Sequence, residues 1–350
     1  MNATLGKWGN YKMTIETNLH GRVRNTKLPF SNGLLPLFEA VANSIHAIEE
    51  ANLPTHEQQI TVEIIREGQA TMDFNQKHKR PGPEAKSEIK AFIVTDNGIG
   101  FNDSNMKSFQ TLDTDYKVEK GGRGVGRLLW LKAFNNVKIE SVYKLENGQQ
   151  KKRTFSFNVK EGVTEPIVID TNNSPQGSVV LLDQFEKRYR DTSPKTASII
   201  ARDLLEHCLW YFIRPDAVAP SIKVVDDGEV IPLADIFNEQ MLADTSQESF
   251  TLKDYKFDLI HVKLSPSSTR VHSVGFCAAN RVVTRESIKG KLPGLYGDLH
   301  DKETGYFVYE AYVSSPLLDE LVRPERTGFD IDKEPLPLLS SNELSQKEIS

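Results

Sequence analysis

Glu39-Ala40-Val41-Ala42-Asn43-Ser44-Ile45-His46-Ala47 is the stretch on which the reading of this chain turns. The spacing predicts a helix over about 31–51. At about 100° per residue, Glu39, Asn43 and His46 fall within about 60° of one another, while Leu34, Leu37, Val41, Ile45 and Ile48 crowd the opposite side. One face is built to pack, and the other presents a carboxylate, an amide and an imidazole. Read alone, the stretch is better taken as an ordinary amphipathic helix with a wet polar face. The functional alternative makes Glu39 a general base activating a water, which needs a fixed carboxylate within one hydrogen bond of it. Asn43 would then offer its carbonyl oxygen to Mg2+, a hard cation that prefers oxygen ligands.

Two further segments join it. Ala91-Phe92-Ile93-Val94-Thr95 reads as a buried strand that ends in Asp96 and breaks into Asn97-Gly98-Ile99-Gly100. A carboxylate at a strand end can accept a hydrogen bond from an exocyclic amine such as adenine N6. Gly98 and Gly100 let backbone approach a flat ring with no Cβ in the way. The competing reading is a simple Asp-Asn-Gly turn, weakened because a strand and then a helix flank it. Next, Gly121-Gly122-Arg123-Gly124-Val125-Gly126 carries four glycines in six residues and runs into a helical pattern over 125–134. Backbone N–H groups at a helix N-terminus favour phosphate. The spacing is not a Rossmann fingerprint, and no Gly-x4-Gly-Lys-[Ser/Thr] loop occurs anywhere in the chain.

Taken in this order, the three segments resemble the GHKL ATPases, the family of gyrase, heat-shock chaperone, histidine kinase and MutL. The family pattern is Glu-x-x-x-Asn-x-x-Asp-Ala, then Asp-x-Gly-x-Gly, then a Gly-rich lid before a helix. Here it stands as Glu39, Asn43 and His46-Ala47, then Asp96, Gly98 and Gly100, then Gly122, Gly124 and Gly126, with Gly177-Ser178 in place of a late Gly-Thr pair. The likeness covers about residues 34–183. It implies an α+β chain: a Bergerat-type α/β sandwich ATPase domain holding ATP and Mg2+, followed by a smaller α/β transducer-like domain. In the roles implied, Glu39 activates water, Asn43 holds the metal, Asp96 reads adenine beside Ser178, and Gly122–Gly126, including Arg123 and Val125, wraps the phosphates. Lys117 and Lys120 are the lid's phosphate-facing candidates, against the plainer reading of a solvated loop. The chain departs from the pattern at His46, where the family has aspartate. A structural histidine, satisfied by its neighbours, is the favoured reading there.

Around these motifs the chain divides into an arm at 1–27, the ATP-binding unit at 28–215, a second unit at 216–333, and a Pro- and Ser-containing linker or further region at 334–350. Strand patterns are expected at 59–65, 88–95, 137–143, 153–159, 168–170 and 178–183, a helix over 196–213, and further strands at 221–225, 257–264, 272–279 and 306–313. Residues 67–86 read as a loop insertion and 111–124 as a mobile loop. The only histidine before Glu39 is His20, in a polar leader, so a branch other than the histidine kinases is expected. Gly275–Val283, with Asn280-Arg281 at its centre, resembles a strand–turn–strand of the MutL-like second domain. Ser314–Phe329 resembles the chaperone segment that ends in a catalytic arginine. An arginine stays ionised and binds transferring phosphoryl groups bidentately. Arg326 is the first candidate and Arg323 the second, against surface pairing with nearby carboxylates.

Composition bounds the rest. With 38% hydrophobic and 26% charged residues, the chain reads as an ordinary globular protein, and a net charge of −5 gives no reason to expect strong nonspecific binding to DNA or membrane. A nucleic-acid partner stays open. No apolar run approaches the about 20 residues of a membrane span. Cys208 and Cys277 read as buried thiols of a cytoplasmic protein. The resemblance implies ATP-driven lid ordering and a nucleotide-dependent homodimer. The alternative is a nucleotide-gated binding module with negligible turnover, serving a protein partner or a further C-terminal domain. A place in genome defence rests on resemblance alone.

Overall fold

Ile60, Val62 and Ile64 are buried and alternate with the more exposed Thr61 and Glu63. That period of two makes Gln59–Arg66 a strand with one face for a core and one for solvent. The computed structural model describes residues 18–68, 87–111, 126–214, 219–240, 245–266, 271–278, 281–291, 295, 297–323 and 328–331. It is a mixed α/β structure with two mixed sheets and eight helices among the described residues. The helices are α1 (Leu19–Asn25), α2 (Leu35–Ala51), α3 (Asp103–Gln110), α4 (Gly126–Ala133), α5 (Lys187–Thr192), α6 (Ala197–Ile213), α7 (Leu233–Gln240) and α8 (Pro316–Leu321).

The first sheet holds β1 (Gln59–Arg66), β2 (Ile89–Asp96), β3 (Phe134–Lys144), β4 (Gln150–Asn158), β5 (Gly162–Val163), β6 (Ile167–Thr171), β7 (Gly177–Phe185), β8 (Ser221–Asp226) and β9 (Glu229–Pro232). Its order is β5-β4-β3-β7-β2-β1-β8-β9, with β6 also paired to β4. All its pairs are antiparallel except β1 with β8. The second sheet runs β10 (Ser246–Leu252), β11 (Tyr255–Leu264), β15 (Gly305–Ser314), β12 (Ser273–Ala278), β13 (Arg281–Ser287), with β14 (Leu299–Asp301) paired to β15.

Helices α2, α4 and α6 cover one face of the first sheet. α2 is buried nearly all round, with Leu37, Val41, Ile45 and Ile48 at 0–1% exposure. Beneath it Phe134 and Phe185 stack at 4.7 Å between ring centres, with Phe92 edge-on to both. A second aromatic group, Phe101, Phe109, Phe155 and Phe157 with Trp130, fills the space under α3 and α4. The main core continues into the second sheet through Ile260, Val262, Cys277 and Tyr312, and α6 packs on β13. A smaller core joins Phe257, Phe276 and Val313 to Leu318 of α8. No helix among the described residues is long and apolar enough to cross a membrane.

Three sequence expectations change. The arm at 1–27 reads as a polar leader, yet its end forms α1. Asn18 Oδ1 accepts from Gly21 N–H at its start, and Lys132 Nζ donates to the carbonyls of Val23 and Arg24 at its end. Residues 1–17 and 332–350 lie outside the described residues. A unit boundary at 215–216 is also not where the first sheet stops, because β8 pairs in parallel with β1, Gln59 opposite Ser221 through Ile64 opposite Asp226. A strand pattern restarting after a helix is what a new unit gives, but also what a helical crossover between parallel strands gives. Finally, α7 and β10 have no counterpart among the expected elements; both carry mostly half-buried or exposed side chains.

One buried ion pair locks the crossover. Arg66 Nε and Nη2 donate to Asp226 Oδ1 and Oδ2 at 2.7 and 2.8 Å, and its other N–H groups reach the carbonyls of Ser87 and Lys195. Their side chains are 4% and 0% exposed. Removing one partner strands a charge in the core, which costs about 3–5 kcal/mol. Asp226→Ala is therefore expected to lower the urea-unfolding free energy by about that amount. The double variant Arg66→Met, Asp226→Leu is expected to recover most of the loss.

Candidate nucleotide-binding site

Asp96 ends β2 directly beneath α2 and is 7% exposed. Ser44 Oγ of α2 donates to its Oδ2 at 2.8 Å, and Gly98 N–H donates to its Oδ1 at 2.9 Å. A backbone N–H bond from Ser178 adds a third donor, since Asp96 faces Ser178 across the β2–β7 pairing. Burial pushes the carboxyl from 3.8 up to about 6, and the three donors pull against it. The turn that follows is moulded on α2. A Cβ on Gly98 would stand 2.6 Å from the Ala47 carbonyl carbon, and Ile99 N–H donates to Ala47 O. Gly100 has φ +79°, and a Cβ there would stand 2.6 Å from Val142 O. Gly177 comes close enough to the Asp96 carbonyl that no other residue fits.

On α2 itself, Glu39 is 4% exposed and lies against the start of α4: a Cβ on Gly126 would sit 2.8 Å from Glu39 Oε2. Asn43, one turn on, is exposed. His46 does not join them at the open side of the helix. It is 4% exposed, and its Nε2 lies 2.9 Å from Tyr211 Oη of α6. A structural histidine satisfied by its neighbours is therefore the better description. The departure at this position is absorbed by packing between α2 and α6. Arg214 stacks over the Tyr211 ring and pairs with Glu49, closing the same helix contact.

The structure thus sets two groups against α2: Asp96, Gly98 and Ser178 around Ser44 and Ala47, with Gly100 in the same turn, and Gly126 against Glu39. Lys117, Lys120, Gly122, Arg123, Gly124, Val125 and Arg326 lie outside the described residues. Arg323, past the end of α8, pairs with Asp330 at 2.8 Å and is half exposed, so it is committed to its own turn rather than to the site. The strand–turn–strand expected around Asn280-Arg281 is a hairpin of β12 and β13, with residues 279–280 outside the described set.

Four supporting residues escaped the sequence reading. Ser44 and Ser141 are small hydroxyls whose roles appear only once the chain is folded. Ser141 Oγ receives Phe101 N–H at 2.8 Å and donates to Gly177 O at 2.9 Å, tying the turn after Asp96 to β7. Arg153, 6% exposed, donates to Phe101 O and pairs with Asp103 while lying over Tyr143. Arg127, 8% exposed, donates to Thr111 O over the Phe109 ring, holding the end of α3 to the start of α4. Its signal was its place directly after the glycine run.

Asn43 supplies an amide oxygen suited to Mg2+, which takes few protein ligands beside phosphates and water. Among the described residues no cluster of three or more His, Cys, Asp or Glu side chains forms a metal cage. Compared with known proteins, the sequence matches no family model and no curated protein.

The raised Asp96 pKa has a sign that can be tested. The folded state favours the protonated carboxyl, so its contribution to stability is fully present below about pH 4 and is lost as pH rises through 6. The span from 3.8 to about 6 corresponds to about 3 kcal/mol. Asp96→Asn is expected to remove this component. Urea unfolding at pH 4 and pH 7 should show the variant gaining on the wild type by up to that amount as pH rises.

Proposed function

We propose that the chain is an ATP-binding, Mg2+-dependent ATPase module of the GHKL type. In this reading the first sheet and its helices are the Bergerat-type nucleotide-binding unit, and the second sheet is a transducer-like unit. The observation that carries it is the Asp96 site. A buried carboxylate at the end of a central strand is held by Ser44, Gly98 and Ser178, under the same helix that presents Glu39 and Asn43. A carboxylate fixed there is placed to accept the adenine amine, and the bare Gly98 turn lets the base lie close to backbone. Glu39 accepts a proton from the attacking water. Gly126, having no side chain, lets the positive end of α4 come up against the buried Glu39 carboxylate. When bound through Asn43, Mg2+ supplies charge neutralisation to the phosphate oxygens.

Both cysteines are free and buried, which supports a reducing cytoplasmic setting. The family resemblance adds nucleotide-dependent homodimerisation through the N-terminal arm and a protein partner or further region beyond residue 333. One observation favours a second reading, a nucleotide-gated signalling module with negligible turnover. The His46–Tyr211 bond ties the nucleotide helix to α6, and α6 packs on β13 of the second sheet. Binding would then be relayed between sheets whether or not ATP is cleaved.

The test is steady-state phosphate release with Mg2+, with ATP affinity and mass by light scattering measured in parallel. Glu39→Ala is expected to bind ATP within a few-fold of wild type and to lose about 100-fold or more in turnover. Asp96→Asn is expected to lose ATP affinity itself. An alanine variant at Glu39 that hydrolyses ATP at the wild-type rate would sink the ATPase mechanism. Nucleotide-driven dimerisation without phosphate release in the wild type selects the signalling module.

A further inference from the structure

Three consecutive apolar residues of β6 stand in solvent: Ile167 is 68% exposed, Val168 40% and Ile169 55%. β6 hydrogen-bonds to β4 on one side only, Ile167 opposite Thr154 through Thr171 opposite Gln150. Among the described residues nothing pairs with its other side. Every second residue of such an edge directs its N–H and C=O outward, ready to pair with another strand. The far end of the sheet is guarded differently: β9 is four residues long, stops at Pro232, and has α7 packed on it. β6 carries no lysine, and its carboxylate, Asp170, is neutralised by Lys151 of β4 at 3.3 Å.

The sequence of the strand is complementary to itself. In an antiparallel pair of two copies centred on Val168, Val168 meets Val168, and Ile167 meets Ile169 twice over on the opposite face. Asp170 falls opposite Pro166, and Glu165 opposite Thr171, so no carboxylate faces another. The two Asp170 residues stand about 14 Å apart, beyond the screening length at physiological salt. We propose that β6 is a self-pairing edge, through which two copies of this chain join their sheets antiparallel across a twofold axis at Val168. The contact does not depend on nucleotide and is separate from dimerisation through the N-terminal arm. A pair of five-residue strands buries less than the about 1,200 Å2 of a standard interface, so the association is concentration-dependent.

The geometry offers a direct test on the full chain, without nucleotide. On the axis, Val168→Cys brings two sulfurs together, because opposed Cα atoms lie about 4.5–5.5 Å apart. Glu165→Cys serves as control, its two copies being about 20 Å apart in this register. The native Cys208 and Cys277 are 0% and 1% exposed, so background is low. Under mild oxidant or a short bismaleimide, Val168→Cys is expected to form covalent dimer while Glu165→Cys stays monomeric. Adding Ile169→Lys to Val168→Cys is expected to cut the dimer yield at least tenfold, with circular dichroism unchanged. Val168→Cys that stays monomeric with both reagents overturns self-pairing and leaves the edge to a different strand. So does crosslinking of Glu165→Cys at an equal rate, or indifference to Ile169→Lys.

Discussion

A single carboxylate organises the centre of this molecule. Asp96 takes a hydroxyl from α2, an N–H from its own turn and an N–H from β7, so one side chain holds together a helix, a strand end and a neighbouring strand. A buried carboxylate is costly unless its lone pairs are satisfied, and each donor is therefore fixed in place by the same group it stabilises. The glycines around it follow from this crowding. Gly98 and Gly177 stand where α2 and β2 leave no room for a side chain. The ring of hydroxyls behind them, Ser44, Ser141 and Ser178, links the turn to the sheet through short bonds.

What could be read from sequence followed the strength of local period. β1, β2, α6 and β11 carry regular apolar spacing and fold within a residue or two of where that spacing puts them, whereas α2 opens at Leu35, later than the expected 31. The positions of Asp96, Gly98 and Gly126 were marked in the sequence as well, because glycine runs and strand-end carboxylates are visible signals. Long-range pairing was not. Nothing near Ser221 announces that its strand lies beside β1. Nothing near Arg66 names Asp226 as its partner. The orientation of His46 was equally hidden, since helix geometry places it near Glu39 and Asn43, and only Tyr211 on a distant helix decides which way it faces.

α6 is the element that gives the two sheets a common body. Its apolar side runs from Ala197 to Ile213 with ten buried residues, touching α2 and β8 of the first sheet and β13 of the second. On the second sheet Arg285 pairs with Glu310 at 2.8 Å and lies over Tyr312, with Glu206 of α6 near enough to favour its charge. A cavity of about 480 Å3 opens beside this contact, lined by Leu34, Phe38, His207 and Thr284 among others. The junction is thus part packed and part hollow.

The β1–β8 pairing has a meaning for how the chain reaches this state. Arg66 and Asp226 are 160 positions apart, so the β1–β8 pairing closes a loop that holds most of the first sheet. Contacts that span so much chain carry a large closure cost before they return any stabilisation. The antiparallel neighbours β1–β2 and β3–β4 lie close in sequence, whereas β7 joins them, and β8 joins β1, only at long range. Until then the Arg66 guanidinium is without its carboxylate, and β1 shows an open edge to every other unfolded chain in the cell. The long-range crossover is thus a step at which newly made protein is exposed to misassembly.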